Sequence, residues 1–118
     1  MGRKHLGEAA MRRKEWSEAK AAHERRDYVI ELQLYQKMAD EGDARAQANL
    51  GVMYEHGHGA PQDLVEAEMW YILSASCFRA SEAKSRGLVI RNRDQLAAKM
   101  TPVQLARARR RAREWRPG

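Results

Sequence analysis

Apolar side chains recur at helical spacing along most of the chain, and no segment shows the strict alternation that is typical of a strand. Two stripes stand out, one over residues 44–55 and one over residues 64–75. Glycines and Pro61 lie between them, where they end one helix and let the chain reverse. The pattern therefore predicts an antiparallel helical hairpin. Its stripes consist of Ala46, Leu50, Met53 and Tyr54, then Leu64, Ala67, Tyr71 and Ala75, with Trp70 beside them.

Further helices are predicted on both sides of this hairpin. Upstream, a stripe from Tyr28 to Ala39 follows Asp27, a typical capping residue, and an earlier helix passes through Trp16. Downstream, small and apolar residues predict one long helix, whose continuity is left open by Gly87 and by residues 91–93. These small and apolar residues are Ala80, Ala83, Gly87, Ile90 and Ala97.

The last helix has the clearest local signal in the chain. Thr101 occupies the capping position, Pro102 the first helical position, and Gln104 follows the threonine by three residues, which is a capping box. One face of this helix is predicted to be apolar. It carries Leu105, Ala108, Ala112 and Trp115.

The chain also resembles itself at an offset of 36 residues, which aligns Asp27 with Asp63 and Tyr35 with Tyr71. A period of this length is typical of stacked helix pairs that lean on their neighbours. We therefore predict an all-α fold, a solenoid of about three antiparallel helix pairs in a single domain, 1–118. The expected units are an N-terminal pair over 1–43, a full repeat over 44–77 and a degenerate capping pair over 78–118.

Residues 46–63, followed by Ala67 and Trp70-Tyr71, resemble the Sel-1-like repeat, a relative of the tetratricopeptide repeat. The resemblance implies a right-handed stack of helix pairs and a role as an adaptor or scaffold. We interpret the motif residues as structural, because Gly51 allows two helices to approach closely. The motif positions are Leu50, Gly51, Tyr54, Gly57, Gly59, Asp63, Ala67, Trp70, Tyr71 and Ala75.

Charge is distributed unevenly along the chain. The formal net charge is +6, yet residues 27–85 carry 4 basic against 10 acidic side chains, and residues 86–118 carry 10 against 2. A candidate basic patch in the last helix consists of Arg107, Arg109, Arg110, Arg111 and Arg113. Such a patch can bind nucleic acid or another polyanion, or it can be a solvated helix end that favours the helix dipole.

No residue pattern indicates catalysis. His56 and His58 flank a glycine but lack a third metal ligand, so we interpret them as solvated loop residues. Cys77 is interpreted as a small packed residue that cannot form an intramolecular disulfide. Glu66 and Glu68 point in different directions on a helix and are interpreted as a solvated face. We expect no enzyme activity, no cofactor and no metal site.

The expected function is binding of partner proteins in the groove of the repeats, with nucleic-acid binding as the alternative. The apolar ends of so short a stack are expected to favour self-association. The chain has no apolar run long enough for a signal peptide or a membrane span, which favours the cytoplasm. If an upstream leader has been removed, the expectation becomes a periplasmic or secreted protein.

Overall fold

The computed structural model describes residues 2–118, with side chains from Gly7 onwards. All regular structure in this range is helical, which confirms the predicted fold class. The elements are α1 (Gly2–Glu24), α2 (Tyr28–Asp40), α3 (Ala44–His56), α4 (Leu64–Cys77), a 3-10 turn (Ala80–Glu82), α5 (Ala83–Ala97) and α6 (Pro102–Glu114).

Side-chain caps fix where most of these helices begin. The carboxylates of Asp27, Asp43 and Asp63 each accept a hydrogen bond from the backbone N–H three residues further along. The Thr101 hydroxyl accepts a bond from the Gln104 N–H at the start of α6. The Thr101 N–H in turn donates to Oε1 of Gln104, as the capping-box pattern predicts. Each cap stabilises its helix by about 1 kcal/mol.

Helix α4 is the central element of the fold. Helices α1 to α4 pack in chain order, each on the next, and α5 and α6 then both pack on α4. Nine of the 14 residues of α4 are buried, so its side chains contribute to two apolar clusters. One cluster joins it to α1, α2, α3 and Ala112 of α6, and the other joins it to α5 and α6.

The predicted helix after α4 differs from the structure in its start and its buried face. Ala80 belongs to the separate 3-10 turn, and Ala83, Gly87 and their neighbours are exposed. The buried residues of α5 are Val89 and Leu96, while Ile90 of the predicted set is half-buried against the same cluster. These larger side chains remove more apolar surface from water than alanine or glycine does, so they determine which face of the helix docks.

Candidate functional site

The repeat motif builds the joint between α3 and α4. Gly51 lies against the ring of Tyr71, where an added Cβ would be 2.6 Å from Cε1 of the tyrosine. Leu50 and Tyr71 are almost fully buried on the two sides of this contact. The Tyr71 hydroxyl donates to Glu55 at 2.7 Å. Burial raises the pKa of this tyrosine, and the hydrogen bond raises it further. The joint is therefore a packed scaffold.

The motif glycines after α3 bring the loop onto the start of α2. Gly57 ends α3 in the left-handed conformation (φ 71°). Gly59, also with positive φ, approaches so closely that a Cβ would lie 2.3 Å from the Tyr28 carbonyl oxygen. This contact places the His58 ring parallel to the Tyr28 ring, with centroids 4.9 Å apart. The loop thus forms one wall of a groove.

The remaining motif residues lie in the core of the stack, except Asp63, which is exposed. Ala67 and Ala75 are buried, Asp63 caps α4, and Tyr54 is half-buried against both clusters. The Trp70 indole N–H donates to Glu66 at 3.1 Å. Trp115 follows the end of α6 and meets the Trp70 ring edge-on, with centroids 6.1 Å apart.

A groove of about 340 Å³ opens across α1, α2 and α3, and we call it the aromatic groove. Its walls combine five aromatic rings with polar and apolar side chains. The lining residues are Trp16, Lys20, His23, Tyr28, Glu31, Tyr35, Asn49, Val52, Met53 and His58. The largest exposed aliphatic group among them is Val52 of α3.

A buried carboxylate lies within the aromatic groove. Glu31 is only 4% exposed, and its oxygens are 3.0 and 3.2 Å from Nδ1 of His23. Tyr35 also contacts it: burial raises the pKa of this tyrosine, and the hydrogen bond to Glu31 raises it further. The Trp16 and Tyr35 ring centroids are 5.7 Å apart. The carboxylate of Glu31 therefore lies among the aromatic side chains of the groove.

Arg45 forms the boundary between the aromatic groove and a second, polar depression. Its guanidinium carbon lies 3.7 Å from the centroid of the Trp16 ring, a cation–π contact. The polar depression extends from there past Asp43 to Cys77 and Arg79. Cys77 is half-buried at its far end.

The arginines of α6 differ in their surroundings. Arg111 forms an ion pair with Glu66 of α4. Arg109 is exposed but lines a depression beside Glu68 and Asp94. Arg107, Arg110 and Arg113 are exposed, while Ala108 and Ala112 form the buried face of the helix. Arg111 therefore has a structural role, which leaves the other four arginines of the candidate patch exposed.

Residues 32–43 and 44–77 match the family model of the Sel1 repeat. The chain therefore contains Sel1 repeats in this region. The result confirms the resemblance and the predicted helical repeat fold. Sel1 repeats generally mediate protein–protein interactions.

Curated relatives match only part of this chain. DAP3-binding cell death enhancer 1 of rat and of mouse are each 46% identical over 41 residues, which is 35% of this chain and 8% of the relative. ERAD-associated E3 ubiquitin-protein ligase component HRD3A of Arabidopsis thaliana is 41% identical over 46 residues, 39% of this chain and 7% of the relative. This chain therefore matches less than a tenth of their length. The comparison with solved structures gave no significant match.

The interpretation of Glu66 and Glu68 as a solvated face is wrong for this protein. Glu66 is held by Arg111 and Trp70, and Glu68 is 2% exposed beneath α5 and α6. Within the described part of the chain, Oε1 of Glu68 has no hydrogen-bond partner. Burial raises the pKa of this carboxyl to about 7. The local sequence could not indicate this, because the covering helices α5 and α6 come later in the chain.

The histidines of the loop do not meet further metal ligands. His56 Nδ1 lies 3.0 Å from the Val52 carbonyl oxygen, and His58 stacks on Tyr28. Among the residues described, no three histidine, cysteine or acidic side chains cluster in a way that could hold a metal ion. Of the helices described, none is long and apolar enough to cross a membrane.

Proposed function

We propose that this protein is a non-catalytic adaptor that binds a partner polypeptide in the aromatic groove. The observation that carries the proposal is the contrast between two sets of aromatic residues. Tyr71 and Trp70 of the repeat motif are buried in packing, whereas Trp16 and Tyr28 are half-buried and line an open groove. Partly exposed aromatic side chains beside polar groups are typical of protein-binding surfaces.

The groove is formed by helices that the scaffold holds in place. The close contact between Gly51 and Tyr71 holds α3 against α4, and the contact between Gly59 and Tyr28 holds the loop against α2. Binding to such a surface costs little conformational entropy, because its walls are already ordered. The names of two relatives mention DAP3 binding and a ubiquitin-ligase component, which supports a role in protein assemblies.

Photo-crosslinking tests the proposed site. A benzoylphenylalanine replaces Val52 inside the groove and, as a matched control, Val103, an exposed valine of α6 outside it. We expect a discrete protein adduct in source cells from position 52 that position 103 does not give. Equal adducts from both positions, or an adduct from position 103 alone, would contradict binding in the groove.

Nucleic-acid binding through α6 is the second candidate, supported by exposed arginines of this helix, among them those at positions 107, 110 and 113. It predicts binding to single-stranded RNA or duplex DNA that weakens steeply as salt is added. The triple change of Arg107, Arg110 and Arg113 to alanine avoids Arg111, which holds Glu66. Binding that is indifferent to this triple change, or undetectable in the unaltered protein, excludes the candidate.

A further inference from the structure

We infer that the aromatic groove contains a site for a single positively charged side chain, a lysine or an arginine of the partner polypeptide. The inference rests on the proposed function, since it names the chemistry by which the same groove selects its partner. Two independent features of the groove carry it. One is the buried carboxylate of Glu31, and the other is the set of aromatic faces around it.

Glu31 provides the negative charge of the site. A carboxylate that is 4% exposed has lost most of its hydration, which is unfavourable unless a positive group or hydrogen-bond donors compensate it. In the described part of the chain, its partners are the hydroxyl of Tyr35, which forms a neutral hydrogen bond, and the imidazole of His23, whose side chain is itself 67% exposed. A permanently charged partner such as lysine or arginine would compensate Glu31 more fully than an imidazole can.

The aromatic rings provide the second attraction for a cation. Rings of Trp16, Tyr28, Tyr35 and His58 line the groove, and ring faces attract an ammonium or guanidinium group. The protein already contains one such contact at the groove's edge, where Arg45 lies over Trp16. The aliphatic stem of a lysine or arginine would lie along Val52 and Met53, as such stems commonly do on apolar surface.

Other occupants fit this chemistry less well. An acidic side chain would be repelled by Glu31, although Lys20 on the wall would attract it. An apolar side chain would cover the carboxylate without pairing it, which costs free energy. The volume of about 340 Å³ admits one or two side chains of a polypeptide rather than a folded domain.

Nuclear magnetic resonance titration with short peptides tests the inference without a known partner. The probes are acetyl-Gly-Ser-X-Ser-Gly amides in which X is arginine, lysine, norleucine or glutamate. We expect the arginine and lysine peptides to shift the signals of Trp16, Asn49 and Val52, with affinity about tenfold above the norleucine peptide. Equal affinity of the norleucine peptide, or preference for the glutamate peptide, overturns the inference.

Variants assign the effect to the groove. Glu31→Gln retains the size of the side chain, and we expect it to remove the preference for arginine over norleucine. Val52→Lys places a positive charge at the exposed mouth of the groove and should weaken binding of the cationic peptides. Val29→Lys makes the same charge change at an exposed position of α2 outside the groove and should leave binding unchanged. A preference that survives both Glu31→Gln and Val52→Lys contradicts the assignment.

The two proposals fail in different ways. If a partner still crosslinks to position 52 while the peptides show no charge preference, the adaptor function stands and the cation site is wrong. If the cationic peptides bind the groove but crosslinking from position 52 equals that from position 103, the site exists and the groove is not where the cellular partner binds.

Discussion

Gly51 illustrates how one missing side chain sets the distance between two helices. An added Cβ would approach Tyr71 Cε1 to 2.6 Å and the Ala67 carbonyl oxygen to 3.2 Å. The ring is buried and cannot move aside freely, so the helices must separate. We expect Gly51→Ala to lower the free energy of unfolding by about 1–3 kcal/mol in urea denaturation.

Gly87 provides the matched control for that experiment. It lies within α5 with nothing within 4 Å of an added Cβ. Alanine has the higher helix propensity, so Gly87→Ala should raise the free energy of unfolding by about 0.5–1 kcal/mol. Equal effects at the two glycines would contradict the close approach of α3 and α4.

Glu68 makes stability depend on pH. Its pKa is about 7 in the folded state against an ordinary value of 4.5. The folded protein therefore binds a proton more tightly than the unfolded chain. The resulting stabilisation is complete below pH 4.5 and is lost as the pH rises through about 7. The difference corresponds to about 3 kcal/mol of unfolding free energy.

The charged groups around Glu68 are Arg93 and Asp94 on α5, Arg109 on α6 and Glu55 on α3. Chemical denaturation between pH 4.5 and 8 should show the decline in the unaltered protein and a flatter profile in Glu68→Gln. Glu18→Gln, an exposed change on α1, should retain the decline. Identical profiles for Glu68→Gln and the unaltered protein would show that another group is responsible.

Trp70 is the largest fully buried side chain of the joint, with 2% exposure. Replacing it with alanine removes its contacts with Trp115 and leaves Glu66 without the indole donor. We expect Trp70→Ala to cost about 3–5 kcal/mol in a urea melt. A near-neutral result would mean that the ring is not packed and would favour a ligand-stacking role.

At the scale of the elements, helices α4 and α5 differ in how firmly they are held. Three helices pack on α4, while α5 packs chiefly on α4 and buries Val89 and Leu96. Native-state hydrogen exchange should therefore be slowest in α4 and faster in α5, because local opening of α5 exposes less apolar surface. Protection of α5 equal to that of α4 would show that the whole stack opens as one unit.

Local signals in the sequence predicted most elements and few of the long-range contacts. Asp27, Asp63 and Thr101 mark helix starts because a cap bonds only three residues away. Burial of Glu68 could not be predicted, because it depends on where α6 returns. The ion pair between Arg111 of α6 and Glu66 of α4 joins residues that are 45 positions apart in the chain.

At the scale of the whole molecule, the motif predicted the scaffold but not the groove. The repeat residues identify the joint between α3 and α4 because their spacing is characteristic of the family. The groove combines Trp16, Glu31 and His58, which come from three elements and belong to no common pattern. A single glutamate in an amphipathic helix is ordinarily solvated, so its burial becomes visible only once α1 covers it.

The arginine that rests on Trp16 has a consequence for what this surface recognises. Its guanidinium already occupies one face of that indole, so a visiting lysine or arginine gains its attraction from the carboxylate of Glu31 and from the other rings of the groove. The charge on Glu31, more than the Trp16 ring, then decides which side chain is selected.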